Sequence, residues 1–79
     1  MRITKYFLIN IGELFLIQFV LEGYERLVTI TTLNKDRGLI KLIYSADSQM
    51  DVKNIIKALK KEFYLEEIDR CDAFSKGAI

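Results

Sequence analysis

LVTITTLNKDRGLIKLIY, residues 27–44, contains two runs built for a pleated surface. Leu27–Leu33 (LVTITTL) and Leu39–Tyr44 (LIKLIY) are rich in β-branched and large aliphatic side chains, which pack well on a half-buried sheet. Asn34, Lys35, Asp36, Arg37 and Gly38 separate them, and a five-residue connection ending in glycine suits a turn that closes through positive φ. The stretch predicts a β-hairpin.

On its N-terminal side, Thr4–Ile9 (TKYFLI) reads as a first strand. Asn10 then offers an N-cap with Glu13 three positions later, so a helix is expected from Ile11 to about Tyr24. Gln18, Glu22 and Glu25 would share one narrow polar stripe on it. Its apolar arc is wider than one sheet contact needs. On the C-terminal side, Ser48 and Asp51 repeat the capping pattern ahead of Val52, Ile55, Ile56, Leu59 and Phe63, spaced as one helical face. Leu65–Cys71 (LEEIDRC) reads as a last strand, at an edge because its charges would be costly inside a sheet. Residues 72–79 read as a loose tail.

The order strand, helix, strand, strand, helix, strand makes two crossover units of similar length. Right-handed crossovers place both helices on one face of a four-stranded antiparallel sheet. The expected fold is α+β, the ferredoxin-like βαββαβ arrangement, as a single domain over residues 1–79.

Composition narrows the chemistry. With 79 residues there is room for one small core, and 51% hydrophobic against 29% charged side chains is a globular balance. Twelve basic and eleven acidic residues leave a net charge of +1, which does not draw the chain to nucleic acid or a membrane. The lone Cys71 cannot form an intramolecular disulfide and fits a reducing, cytoplasmic setting. Phe7–Leu21 has the look of a signal or membrane segment, but Asn10, Gly12, Glu13 and Gln18 interrupt it. The absence of histidine removes the usual general base and the Ser-His and Cys-His dyads, so an enzyme is not expected and no cofactor is assigned.

The βαββαβ order, with Gly12 just after the first strand, resembles the small regulatory domains called ACT domains. That resemblance implies an amino acid or other small metabolite near the first strand-to-helix turn, often across a dimer interface. Phe19–Leu33 (FVLEGYERLVTITTL) with the following hairpin resembles a family of short uncharacterised bacterial proteins known only as a domain of unknown function, which implies the same fold and no established activity. Arg37–Tyr44 (RGLIKLIY) has the Arg-Gly opening and closing aromatic of an RNA-recognition domain, with Phe7 as a second aromatic. Leu39 and Lys41 stand where stacking aromatics belong, and a hairpin with an Arg-Gly turn is the plainer reading.

Two surfaces are expected to meet partners. Asn10, Ile11, Gly12 and Glu13 form the candidate ligand site, because a helix N-terminus offers unpaired N–H groups to a small anionic metabolite or amino acid. The competing reading is a plain helix cap. If Lys41 points away from the helices, period 2 turns Leu39 and Ile43 outward with it, and Phe7 and Ile9 join them to make a homodimer surface on the open sheet face. The first helix, through its broad apolar arc, is the other dimer surface. Lys53, Lys57, Lys60 and Lys61 read as a solvated helix surface that could engage phosphates. Glu66, Glu67, Asp69 and Asp72 lack the loop spacing of a calcium motif and read as charges that keep an edge strand from aggregating.

Overall fold

The computed structural model describes residues 1–69. Four strands, β1 (Arg2–Ile9), β2 (Val28–Asn34), β3 (Leu39–Ser45) and β4 (Leu65–Ile68), form one sheet in the order β2-β3-β1-β4. All neighbours are antiparallel. Two helices, α1 (Leu14–Glu22) and α2 (Gln49–Glu62), pack on one face of it. This is the ferredoxin-like arrangement, with β4 at an edge.

Gly38 closes the hairpin. Its φ is 70°, the one positive value among the described residues, and a Cβ there would collide with the Ile9 carbonyl oxygen. The Ile9 N–H donates to the Gly38 carbonyl at 2.8 Å, so the turn is tied to the end of β1. At the turn's other end the Asn34 Oδ1 accepts from the backbone N–H groups of Asp36 and Arg37, at 3.1 and 3.2 Å. An Asx-type turn of this kind starts the reversal without straining the backbone.

Register sets the two sheet faces. Ile3 pairs with Tyr44, Lys5 with Leu42 and Phe7 with Ile40, and paired residues share a face. Ile40, Leu42 and Tyr44 therefore lie under the helices, as expected. Phe7 and Ile9 lie there with them, buried in the main core beside Leu14, Ile17, Leu21, Val52 and Leu59.

Neither helix begins as its capping residues suggest. A 3-10 turn precedes each, Ile11–Glu13 before α1 and Ala46–Ser48 before α2. Asn10 is extended and its side chain caps nothing, and Glu13 and Ser48 make no cap hydrogen bond either. In the second case the cap sits one turn earlier, where Ser45 Oγ accepts from the Asp47 N–H at 3.2 Å. The tighter turn consumes the residues that the capping patterns assign to the first α-helical turn. Helix α1 also stops at Glu22, because Tyr24 donates to the Leu21 carbonyl and its own carbonyl accepts from Leu27 and Val28, reversing the chain into β2. Gln18 leaves the expected polar stripe: its Nε2 donates to Thr32 Oγ1 at 2.7 Å and pins α1 to β2.

The segment 7–21 is thus divided between a strand, a turn and a nine-residue helix. Among the described residues no helix is long and apolar enough to cross a membrane. The last strand is shorter than Leu65–Cys71, and Cys71 and the tail at 72–79 lie outside the described residues.

Candidate functional site

Asn10, Ile11 and Gly12 are exposed and Glu13 is half-buried, all four in one short turn. The Glu13 N–H donates to the Asn10 carbonyl at 2.9 Å, while the Asn10 side chain stays uncommitted to a cap. Among the described residues, no atom beyond the turn's own neighbouring backbone lies within 4 Å of where a Gly12 Cβ would sit. Neither backbone strain nor packing among the described residues requires a glycine there.

The turn opens onto the outer face of α1. Leu14, Ile17 and Leu21 point into the core, and at about 100° per residue the opposite side is occupied by Phe15 and Phe19, flanked by Ile11, Leu16 and Glu22. Phe15 is 83% exposed and Phe19 75%, with Ile11 and Leu16 at 55% and 57%. Exposed leucines and isoleucines are ordinary on a monomer, but two nearly bare phenylalanines one helical turn apart are not. They are the exposed part of the broad apolar arc expected on the first helix. The signal was available: Phe15 and Phe19 are four apart, and neither is in phase with Leu14, Ile17 and Leu21.

The open sheet face is less apolar than the expected dimer surface. Phe7 and Ile9 are absent from it, because the β1–β3 register turns them toward the helices. The same orientation removes Phe7 as a stacking residue for RNA. Leu39, Lys41 and Ile43 do occupy the open face, opposite Leu8, Tyr6 and Thr4. Leu39 is itself buried there with Ile68, packed by Tyr6 and Leu8. What this face offers is Lys41 and Ile43, both half-buried, beside the exposed Thr29 and Thr31 of β2.

Charged side chains are dispersed along β4. Glu67 accepts from Lys5 Nζ at 3.0 Å on the helix side, and Glu66 accepts from the Tyr64 hydroxyl at 2.7 Å, its position in the strand facing the other way. Those hydrogen bonds raise the Lys5 ammonium and the Tyr64 phenol above their ordinary pKa ranges. Among the described residues no three acidic or thiol groups gather as a metal site, and Asp72 lies outside them. Lys5 and Glu67 also line a groove of about 350 Å³ together with three lysines of α2, Lys53, Lys57 and Lys60, with Tyr44 and Ile56 as its apolar part. Lys61, the fourth lysine of the expected stripe, is not among its lining residues.

The family described as a domain of unknown function (DUF4911) has a model that matches residues 9–62. The chain belongs to this family. The DUF4911 match runs from the last residue of β1 to the last residue of α2, so it contains the whole α1 stripe and the three groove lysines of α2. Lys5 and Glu67 fall outside it. No curated protein and no solved structure matches the chain.

Proposed function

We propose that this DUF4911 protein is a non-enzymatic interaction module that forms a homodimer by packing α1 against α1 of a second copy. The supporting observation is the paired exposure of Phe15 and Phe19, at 83% and 75%, on a helix whose inner face is already satisfied. A phenylalanine presents roughly 200 Å², so the two rings with Ile11 and Leu16 offer about 500 Å² per copy. Two copies together reach about 1,000 Å², the lower bound for a biological interface and in the range of reversible association.

The stripe is complementary to itself. A two-fold axis midway between Phe15 and Phe19 sets each Phe15 against the partner's Phe19, an isologous contact of the commonest oligomer type. The same axis brings Glu22 to the partner's Gly12. Glu22 stands at the C-terminal end of its own helix, where the dipole disfavours a carboxylate, and the opposing turn offers N–H groups without an intrahelical partner. With no side chain at Gly12 and open space around it, the carboxylate can reach them. On this reading the anion at residues 10–13 is supplied by a second copy rather than by a metabolite.

Sedimentation equilibrium of the wild type should give a dimer, Phe19→Asp a monomer, and Ile43→Asp on the open sheet face an unchanged dimer. A wild-type monomer at all concentrations, or dissociation by Ile43→Asp with Phe19→Asp still dimeric, would sink the α1 interface.

A further inference from the structure

We infer that the groove between α2 and the β1–β4 edge binds the phosphate groups of a small molecule, a diphosphate or a phosphate ester. Gln49, Lys53, Ile56, Lys57 and Lys60 recur along one flank of α2, so its lysines project into the same concavity instead of spreading over a convex surface. Lys5 reaches it from β1, making among the described residues four ammonium groups against one carboxylate, Glu67, in a chain whose net charge is only +1. Glu67 is already engaged by Lys5 at 3.0 Å. Lys53, Lys57 and Lys60 have no ion pair among the described residues, and lysines spaced three and four apart on a helix repel one another. An anion in the groove would relieve that repulsion.

The shape sets the size of the ligand. A groove of about 350 Å³ falls at the small end of metabolite sites, and the nearly buried Tyr44 with the half-buried Ile56 gives an organic portion something to lie on. Lysine ammonium groups bind phosphate as point charges and need no fixed fork geometry, which suits three flexible side chains around a multiply charged group. None of these residues belongs to the α1 stripe, so the site and the dimer can fail independently.

Thermal unfolding of the full chain with millimolar pyrophosphate, inorganic phosphate or ADP, each against sodium chloride at equal ionic strength, tests the assignment. Pyrophosphate should raise Tm by a few degrees where chloride does not. A larger shift with ADP than with pyrophosphate identifies a phosphate ester whose organic part adds binding in the groove, and an equal one a free diphosphate. The double variant Lys53→Gln/Lys57→Gln should lose the shift while keeping a ligand-free Tm at or above that of the wild type, and Lys61→Gln should retain it. The inference is overturned if chloride gives the same shift, if the double variant keeps it, or if a mixed-sequence RNA oligomer binds this groove more tightly than pyrophosphate does.

Discussion

Helices α1 and α2 cover the same sheet face, yet their outer surfaces are opposite in kind. Inward, both supply aliphatic residues to one core, Leu14, Ile17 and Leu21 from α1 and Val52 and Leu59 from α2. Outward, α2 carries charges placed as a solvated helix wants them, with Asp51 in its first turn and Lys60 and Lys61 in its last. Helix α1 has no acidic residue in its first turn and no basic residue in its last, and it exposes Phe15, Leu16 and Phe19 instead. The fold dictates only the inner faces. What each helix shows to the outside is therefore free to serve binding, and the two solutions suit different occupants: an apolar protein surface for α1, an anion for α2.

The largest effects should come from the inner faces and should be alike. Ile17→Ala and Leu59→Ala each remove a buried side chain from the same core, and each should cost about 2–5 kcal/mol in denaturant unfolding. A cost under about 1 kcal/mol for Ile17→Ala would mean that α1 is held by its outer contacts and that the two inner faces are not equivalent.

Outer-face substitutions should separate the helices. If α1 dimerises, the wild-type Tm rises with protein concentration, since association stabilises the folded state by mass action. Phe15→Ser should remove that dependence while changing monomer stability by no more than about 0.5 kcal/mol, and Lys57→Ser on α2 should leave the dependence intact. Circular-dichroism melts across a hundredfold range of concentration give the comparison. A wild-type Tm independent of concentration would remove the distinction between the two outer faces.

Much of this was legible in the residues. The hairpin and its glycine were readable because Gly38 lies where only an unbranched backbone fits, and α2 was readable because Val52, Ile55, Ile56, Leu59 and Phe63 share one face. The cap patterns misled at both helices, since local spacing cannot tell a 3-10 turn from the first turn of an α-helix. Phe7 and Ile9 lie on the face opposite to the expected one because Thr4–Ile9 is apolar on both sides, and such a strand does not announce its phase. Its phase follows from register with β3, a contact more than thirty residues away. The α1 stripe was visible as an arc too wide for one contact, but which part of the arc stays outside depends on the rotation of α1 over β2, which the Gln18–Thr32 hydrogen bond helps to hold. The lysine groove needed the sheet edge as well as the helix, for Lys5 comes from a strand nearly fifty residues before Lys53.

The smallest effect expected is at Lys5 and Glu67, the ion pair that ties the edge strand β4 to β1 on the groove side. Its side chains are 39% and 46% exposed, so solvent screens the attraction, and Glu67→Gln should cost only about 0.2–1 kcal/mol at neutral pH. The pH dependence has a definite sign. The hydrogen bond from Lys5 to Glu67, followed by their charge attraction, raises the ammonium above its ordinary 10.5. A group whose pKa is raised by folding contributes stability that is fully present below the unfolded value and is lost as pH climbs through the folded one. The difference between wild type and Glu67→Gln should therefore be constant from neutral pH to about 10 and shrink beyond it. Added salt should shrink it at every pH, because the pair is partly exposed. Unfolding in urea at pH 7, 9 and 11, with and without salt, measures both trends. A gap that widens above pH 10 would mean that Glu67 stabilises β4 by some route other than the Lys5 ammonium. A salt-independent gap would place the pair in a drier setting than its exposure allows.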